Sequence, residues 1–307
     1  MSTTRTTGVV DGDTERAVRE LAEAASRVDG ASSLSEDALL RLRTGGGEVT
    51  HVLHREGSDL AGYAQLVCAL DRTRPYVLGR QLEGELLVAP AWRRRGLGAA
   101  LLSEVSALAD DVPTLLWSHG DTPGALALAT SAGWTRAREL LRLDRAMAGL
   151  DALDEPDLPA GVVVRPFVGD VDDEAWVALN AAAFAGHPEQ GRWRLEDLLV
   201  RRREPWFDQA VFLLAELDGE LLGFCWMKVE EHLAELYVLG VAPGRGGRGL
   251  GRALLVRGLH AVAAQPAAPA RVELYVDGDN AAALRLYTKL GFERAAVDVQ
   301  YRSPDPT

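Results

Sequence analysis

A basic, glycine-rich motif occurs twice in this chain, each time between an apolar strand-like run and an apolar-periodic helix-like run. The first copy is Arg93–Gly98 and the second is Gly246–Gly251, 153 residues further on. In both copies the preceding apolar run ends in Val-Ala-Pro. A strand–turn–helix unit that recurs in this way predicts two related α/β halves.

The motif has the chemistry of an anion site. Backbone N–H groups of a glycine-rich turn and the positive end of the following helix can surround a pyrophosphate. Glycine serves there because a Cβ would keep the chain from wrapping the anion. A single copy fits an ordinary strand-to-helix turn equally well, but two copies favour a ligand that carries a diphosphate. Neither copy has the Gly-Lys-Ser/Thr ending of the nucleotide P-loop or the glycine spacing of the dinucleotide fingerprint.

Size and composition fit two ordinary globular domains. The chain has 307 residues, of which 47% are apolar and 25% charged. No apolar run approaches the roughly 20 residues of a membrane span, and residues 1–8 are too polar for a secretory signal. Cys68 and Cys225 lie in apolar segments, as reduced core thiols do, so we expect a cytoplasmic protein. The net charge of −12 argues against a nucleic-acid partner, and we expect a monomer that acts on a small molecule.

The two halves repeat one order of elements. We predict a first domain over 1–146, an aperiodic linker over 147–161, and a second domain over 162–307, each a mixed α/β layer around a central sheet. In the first half, the pattern predicts helices at 15–28, 35–42, 99–109 and 123–131 and strands at 49–55, 60–69, 82–88, 114–118 and near 140–143. In the second half, it predicts helices at 173–184, 195–202, 252–263 and 280–290 and strands at 162–167, 211–216, 221–228, 234–241, 272–276 and 297–302.

This order of motifs resembles the GNAT superfamily of N-acetyltransferases, here in tandem. A strand, the Arg/Gln-x-x-Gly-x-Gly turn and a helix are followed by a further strand, Asn280-x-x-Ala-x-x-x-Tyr287 and Leu290-Gly291-Phe292. The resemblance implies an α/β fold (an α+β mixed sheet) in two tandem GNAT acyl-CoA N-acyltransferase domains. It also implies that the glycine-rich turn takes the acetyl-CoA pyrophosphate and that the strand before it pairs with the pantetheine. Gly246 departs from the Gln or Arg that usually opens the motif, but its backbone N–H can still serve.

The resemblance assigns acetyl-CoA contacts, as a co-substrate, to the strand end, the glycine-rich turn and the helix start of each half. In the second half these contacts are Leu239, Gly240, Val241, Gly246, Gly247, Arg248, Gly249, Leu250, Gly251, Arg252, Asn280, Ala281, Ala282, Ala283, Leu284 and Arg285. In the first half they are Leu86, Leu87, Val88, Arg94, Arg95, Gly96, Leu97, Gly98 and Ala99.

Four longer segments resemble one branch of tandem members in particular, namely 184–191, 223–229, 235–241 and 297–301. That branch acetylates the amine of a cysteinyl-glucosaminyl-inositol. By this resemblance the polar substrate would be contacted by Glu36, Glu189, Lys228, Glu235 and Tyr275. Glu36 would also suit the first turn of a helix for electrostatic reasons alone.

Acetyl transfer to an amine needs a base, a polarised carbonyl and an acid for the leaving thiolate. Glu235, on the strand ahead of the second glycine-rich turn, is the expected general base, acting through water. Tyr287 is the expected general acid for the CoA sulfur. Backbone groups of Leu239 and Val241 could polarise the acetyl carbonyl.

The two halves differ at the expected catalytic positions. Aligning the Val-Ala-Pro steps puts Leu82 opposite Glu235, and aligning the Gly-aromatic pairs puts Ala129 opposite Tyr287 and Thr122 opposite Asn280. The first half should therefore bind acetyl-CoA without catalysing, and the second half should carry the reaction.

Other functions remain open at this point. The chain could acetylate another amine, such as an aminoglycoside or a peptide N-terminus, or it could be an acetyl-CoA sensor, which would need neither Glu235 nor Tyr287. We do not expect a metal site, because strand geometry turns His51 and His54 to opposite faces. Cys225 is expected in the core rather than as a nucleophile. We expect Trp193, Trp206 and Trp226 to pack in the core, although they could stack on a sugar.

Overall fold

The computed structural model describes residues 2–45, 48–71, 79–150, 153–154, 157–186, 190–246 and 249–305. The first part of the chain forms β1 (Ser2–Thr7), α1 (Gly12–Asp29), α2 (Glu36–Thr44), β2 (Val49–Glu56), β3 (Asp59–Asp71), β4 (Gly79–Val88), α3 (Leu97–Ala109), β5 (Thr114–Ser118), α4 (Pro123–Ser131) and β6 (Thr135–Ala146). The second part forms β7 (Val163–Pro166), α5 (Asp173–Ala183), α6 (Leu195–Arg201), β8 (Phe212–Leu217), β9 (Glu220–Glu230), β10 (Leu233–Val241), α7 (Leu250–Ala263), β11 (Arg271–Asp277), α8 (Ala281–Lys289) and β12 (Glu293–Arg302).

The described chain divides into two compact units, and both contain residues that are far apart in sequence. Unit 1 comprises Met1–Leu141, Asp277–Asp279 and Ala296–Thr307. Unit 2 comprises Arg142–Val276 and Asn280–Ala295. Each unit is a mixed sheet with helices against it, as predicted.

The sheet of unit 1 has the order β1-β2-β3-β4-β5, followed by the end of β12. Neighbouring strands are antiparallel, except that β4 and β5 run parallel. Neighbouring residues of β3 pack into different hydrophobic cores, because the side chains of a strand alternate between the two faces of the sheet. Tyr63 packs with α1 and α2, whereas Ala64 packs with α3. The polar strand β1 was not predicted, since an exposed edge strand needs no apolar alternation.

The sheet of unit 2 repeats this plan with the order β7-β8-β9-β10-β11. Here too one neighbouring pair, β10 and β11, runs parallel, and the others are antiparallel. Asp218 and Gly219 connect β8 to β9 with φ angles of 52° and 84°. Two positive φ angles are those of a type I′ turn, which matches the twist of a hairpin, and the Asp-Gly pair predicts this hairpin from sequence.

The units differ from the predicted domains in the place of two strands. The last five residues of β6 belong to unit 2. There Asp144 forms a salt bridge with Arg271 of β11, and Arg142 forms one with Glu273 of the same strand. The end of β12 belongs to unit 1, where Val299 pairs with Ser118. By sequence order alone, β6 was assigned to the first domain and β12 to the second. An alternating pattern does not show which sheet a strand joins.

A search for membrane-crossing helices across the described ranges finds none of sufficient length and apolar character.

Candidate active site

The strand β10 has two neighbours only over its first part. Among the described residues, its parallel pairing with β11 runs from Leu233 to Leu236, whereas its pairing with β9 continues to Val241. The two parallel strands therefore diverge ahead of the residues Leu239–Val241. Backbone groups on that edge of β10 can pair with an extended ligand, as the resemblance implies for pantetheine.

A β-bulge lies at the point where β10 and β11 diverge. The pairing of β10 with β9 shifts between Leu236 and Val238. The extra residue, Tyr237, packs into the same aromatic cluster as Val238, although neighbouring residues of a regular strand face opposite sides. Bulges re-aim backbone and side chains next to functional sites.

The second glycine-rich turn leads directly into α7. Gly249 precedes the helix with φ of 82°, which glycine adopts without strain. A Cβ on Gly251 would lie 3.6 Å from the Val241 side chain, so the helix start is packed on the end of β10. The first N–H groups of a helix have no partner within it and bind anions readily. Gly246 has open space around it, and Gly247 and Arg248 lie outside the described residues.

The first glycine-rich turn has the same geometry at the start of α3. Gly96 has φ of 81°, and a Cβ on Gly98 would lie 3.8 Å from Val88. A cavity of about 470 Å³ opens beside it. Of the residues that resemblance assigns to acetyl-CoA, this cavity is lined by Leu86, Leu87, Val88, Arg94, Gly96, Gly98 and Ala99.

The remaining described residues of this first motif make contacts within unit 1. Leu97 is buried in the core, and the Arg95 guanidinium lies 5.0 Å from the ring centroid of Trp92. Arg93, which donates to both oxygens of Asp29 at 2.6 and 2.7 Å, is held by an ion pair. Arg94 lines the cavity and has a positive φ of 62°.

Glu235 lies in the doubly paired part of β10. Its Cα partner on β9 is Lys228, and its partner on β11 is Glu273. Paired residues share a face of the sheet, so Lys228 and Glu273 flank Glu235 on that face. Glu273, which the sequence analysis did not select, accepts a hydrogen bond from Arg142 at 3.3 Å.

Tyr287 is 8% exposed and lies on α8 with its ring edge-on to Phe292, at a centroid distance of 5.9 Å. Burial, with a smaller contribution from the nearby Cys225, raises the pKa of its hydroxyl above the ordinary value. The hydroxyl therefore stays protonated and can donate. Asn280 caps this helix by accepting from the backbone of Ala283 at 3.1 Å.

The residues expected to contact the substrate are distributed over both units. Glu36 is partly buried in the first turn of α2 in unit 1, directly after the capping residue Ser35. Tyr275, 37% exposed on β11, and Lys228, 8% exposed on β9, belong to unit 2. Glu189 lies outside the described residues.

Core packing accounts for the other side chains that the sequence left open. Cys225 is fully buried, and burial raises the pKa of its thiol, which therefore stays protonated. Trp226 is also fully buried, and Trp206 is 8% exposed. Trp193 packs beside them at a ring centroid distance of 6.4 Å from Trp226.

The counterpart of Glu235 in unit 1 is Glu83, not Leu82 as the Val-Ala-Pro alignment predicts. Glu83 pairs with Val67 on β3 and with Leu115 on β5, in the positions that Lys228 and Glu273 take around Glu235. The strand β4 pairs with β3 without a register shift, whereas β10 contains the bulge. The extra residue in β10 displaces the sequence alignment by one position.

The alignment of the Gly-aromatic pairs agrees with the structure in both of its correspondences. The backbone N–H of Trp134 donates to Ala129 and that of Phe292 donates to Tyr287, at 2.9 and 3.0 Å, so the helix ends are equivalent. Thr122 caps α4 as Asn280 caps α8. Unit 1 therefore has an alanine methyl where unit 2 has the phenol of Tyr287.

A buried charged cluster lies at the wall of the cavity in unit 1 and was missed by the sequence analysis. His119 Nδ1 donates to Asp298 at 2.9 Å, and its Nε2 lies 3.4 Å from Glu85. Burial alone would lower the pKa of His119, but Asp298 and Glu85 raise it to about 10. Burial opposes ionisation of Glu85, yet hydrogen bonds from His119 and Ser35 hold its pKa below the ordinary value. No sequence signal joins these residues, because they come from three separate segments.

Comparison with known proteins places this geometry in a family. The Acetyltransferase (GNAT) family profile matches residues 174–292. Mycothiol acetyltransferase of Kineococcus radiotolerans is 63% identical over 296 residues, which cover 96% of this chain and 95% of that protein.

Two solved structures share the fold over nearly the whole chain. A tandem GNAT protein from the clavulanic acid biosynthesis pathway has a TM-score of 0.73 at 18% identity, with 100% of this chain and 99% of that chain covered. A GCN5-related N-acetyltransferase from Sphaerobacter thermophilus has a TM-score of 0.68 at 24% identity, with 98% and 95% covered. These comparisons confirm the predicted tandem fold and the acetyl-transferring activity, and the chain belongs to the mycothiol acetyltransferases, a tandem-domain branch of the GNAT family.

Proposed function

We propose that this chain transfers the acetyl group of acetyl-CoA to the cysteinyl amine of cysteinyl-glucosaminyl-inositol, giving mycothiol and CoA, and that the reaction takes place in unit 2. The name of the relatives supports the product. The residues of unit 2 support the place of the chemistry. Unit 1, with its glycine-rich turn and cavity, binds acetyl-CoA without turning it over.

The reaction is a direct transfer. Glu235, acting through water, takes a proton from the substrate ammonium, and the freed amine nitrogen attacks the acetyl carbonyl carbon. The new N–C bond forms as the C–S bond breaks, and Tyr287 gives its hydroxyl proton to the departing thiolate. The acylated nitrogen then releases its remaining surplus proton to water, which leaves the neutral amide, and Tyr287 is reprotonated from solvent. A backbone group of Leu239 or Val241 polarises the carbonyl oxygen. Each proton transfer is typically worth about 10²–10⁴-fold in rate.

The observation that carries this proposal is the bulge of β10 between Glu235 and the start of the acetyl-CoA edge. It lies where β10 and β11 diverge, ahead of the α7 N-terminus. Unit 1 has a comparable turn and a carboxylate at Glu83, but β4 is regular and Ala129 replaces the phenol. A carboxylate alone, without the bulge and the acid, does not make the second catalytic site.

The acceptor is a polyol that carries an amine and a thiol, so it needs polar and charged contacts. Glu36, Glu189, Lys228 and Tyr275 are proposed to supply them together with Glu235. Nitrogen is favoured over sulfur because the base removes the ammonium proton at the point of transfer.

The direct test offers acetyl-CoA with three acceptors: the cysteinyl-glucosaminyl-inositol, free cysteine, and glucosaminyl-inositol without the cysteine. Mass spectrometry identifies the product and kcat/KM ranks the acceptors. We expect N-acetylation of the first at far higher efficiency. Equal kcat/KM on free cysteine would indicate a general amine acetyltransferase. Binding of acetyl-CoA without any product would indicate an acetyl-CoA sensor.

A further inference from the structure

Lys228 is buried next to the proposed base. Only 8% of it is exposed, and it is the Cα partner of Glu235 on the neighbouring antiparallel strand. Directly paired residues have Cβ atoms about 5 Å apart on one face of the sheet. A buried ammonium is costly unless partners compensate it, so the residues around it show what holds it there.

Within the described part of the chain, two aromatic rings and a carboxylate lie close to the Lys228 ammonium. Nζ lies 4.8 Å from the ring centroid of Trp206, 5.9 Å from that of Tyr237, and 2.8 Å from Glu230 Oε2. The faces of aromatic rings attract cations. Tyr237 is itself fixed, because the buried Arg201 donates from Nε to its hydroxyl at 2.6 Å. The bulge residue Tyr237 thus helps to place the ammonium on the face that Glu235 shares.

Two further carboxylates near Glu235 have cationic partners. On β9, Glu230 shares the Lys228 ammonium, and on β11, Glu273 is paired with Arg142 of β6. The two described cross-strand partners of Glu235 are Lys228 and Glu273, so loss of the ammonium would leave a carboxylate at the other paired position. A like charge makes a carboxylate harder to ionise, whereas an ammonium within about 4–6 Å lowers its pKa by about 1–3 units.

We propose that Lys228 is a positioning residue of the reaction, which keeps Glu235 ionised and therefore able to accept the proton of the substrate ammonium. This inference rests on the proposed role of Glu235. Unit 1 offers an internal contrast, since Glu83 has the apolar partners Val67 and Leu115 in the places of Lys228 and Glu273. A lysine thus stands at the paired β9 position of Glu235, where the paired β3 position of Glu83 carries a valine.

The test compares the pH dependence of kcat in the wild type, Lys228→Met and Lys228→Arg at saturating acetyl-CoA and acceptor. Methionine fills a similar volume, and replacing a buried charge by an apolar side chain is often tolerated. We expect the acid limb of the kcat profile to move up by about one pH unit or more in Lys228→Met. Lys228→Arg should restore the limb, and the KM for acetyl-CoA should stay unchanged. Thermal melting of each variant verifies that it is folded.

The alternative is that Lys228 only contacts the substrate. In that case Lys228→Met would raise the KM for the acceptor and leave the acid limb where it is, which would overturn the inference. Glu235→Gln tests the role of Glu235 as the base separately from the role of Lys228. If Glu235→Gln keeps wild-type kcat, the proposed base is wrong; if it is inactive and the acid limb of Lys228→Met is unmoved, only the role of Lys228 is wrong.

Discussion

The imidazole of His119 donates from Nδ1 to Asp298 at 2.9 Å, across 179 residues of sequence. His119 follows β5, and Asp298 lies on the last strand of the chain. The same aspartate accepts from the backbone of Gly120 at 2.7 Å. This pair attaches the end of the chain to the sheet of unit 1, beside the wall of its cavity.

His119→Gln should destabilise the protein by about 3–5 kcal/mol, because it leaves the Glu85 and Asp298 carboxylates buried without their cation. The effect should depend on pH. The pKa of His119 is raised from 6.5 to about 10, so its stabilisation is complete below about pH 6.5 and lost as the pH rises through about 10. Denaturant unfolding of the wild type and variant at several pH values measures this difference. If the difference in unfolding free energy between wild type and variant does not narrow between pH 7 and 10, the imidazole of His119 is not the charged group proposed here.

Glu235→Gln should lower kcat by at least about tenfold and leave acetyl-CoA binding nearly unchanged, since it removes the base without altering the α7 N-terminus. Glu83→Gln is the matched control, because Glu83 occupies the same place in unit 1. Steady-state kinetics and equilibrium binding of acetyl-CoA measure the two effects. A greater loss of kcat from Glu83→Gln than from Glu235→Gln would reverse the assignment of the units.

Tyr287→Phe should lower kcat by at least about tenfold, because the departing thiolate then lacks its proton donor. The loss should shrink when acetyl-CoA is replaced by an acetyl thioester of a more acidic thiol, which needs less protonation. The raised pKa of Tyr287 also predicts that its hydroxyl adds no basic limb to the kcat profile near neutral pH. An equal loss with both thioesters would indicate a structural role for the phenol.

Gly249→Glu should abolish turnover, whereas Gly96→Glu should leave most of it. Both glycines precede a helix at nearly the same φ, 82° and 81°, so the backbone strain of the two substitutions is matched. Each puts a negative charge where the pyrophosphate is expected. Calorimetry with acetyl-CoA should find one binding site lost in each variant. If only Gly96→Glu abolished activity, the assignment of catalysis to unit 2 would be wrong.

Gly246→Gln tests the position where this chain departs from the usual motif. A Cβ there meets no atom within 4 Å, and Gly246 is not among the glycines with positive φ. We therefore expect normal stability and an acetyl-CoA KM within about twofold of the wild type. Gly246→Glu should raise that KM through charge repulsion alone. A large rise with glutamine would mean that the glycine itself is required.

Most helices, strands and turns could be predicted from the sequence, because their causes are local. Apolar spacing and the Asp218-Gly219 turn predicted most helices and hairpins of both units. The repeated glycine-rich turns predicted two helix N-termini with matching backbone geometry, and Gly96 and Gly249 have it. Motif order was also enough to identify the tandem family.

Contacts between distant residues could not be predicted from the sequence and became known from the fold. A one-residue bulge in β10 makes Glu83 the counterpart of Glu235, and no linear alignment without a gap can express that shift. The end of β12 joins unit 1, so Asp298 meets His119 although the two belong to different predicted domains. Strand alternation records which face is buried, but the choice of sheet and register depends on backbone pairing between distant segments. For that reason the sequence predicted a base and an acid, while the cation beside the base and the buried charge cluster became visible only in the fold.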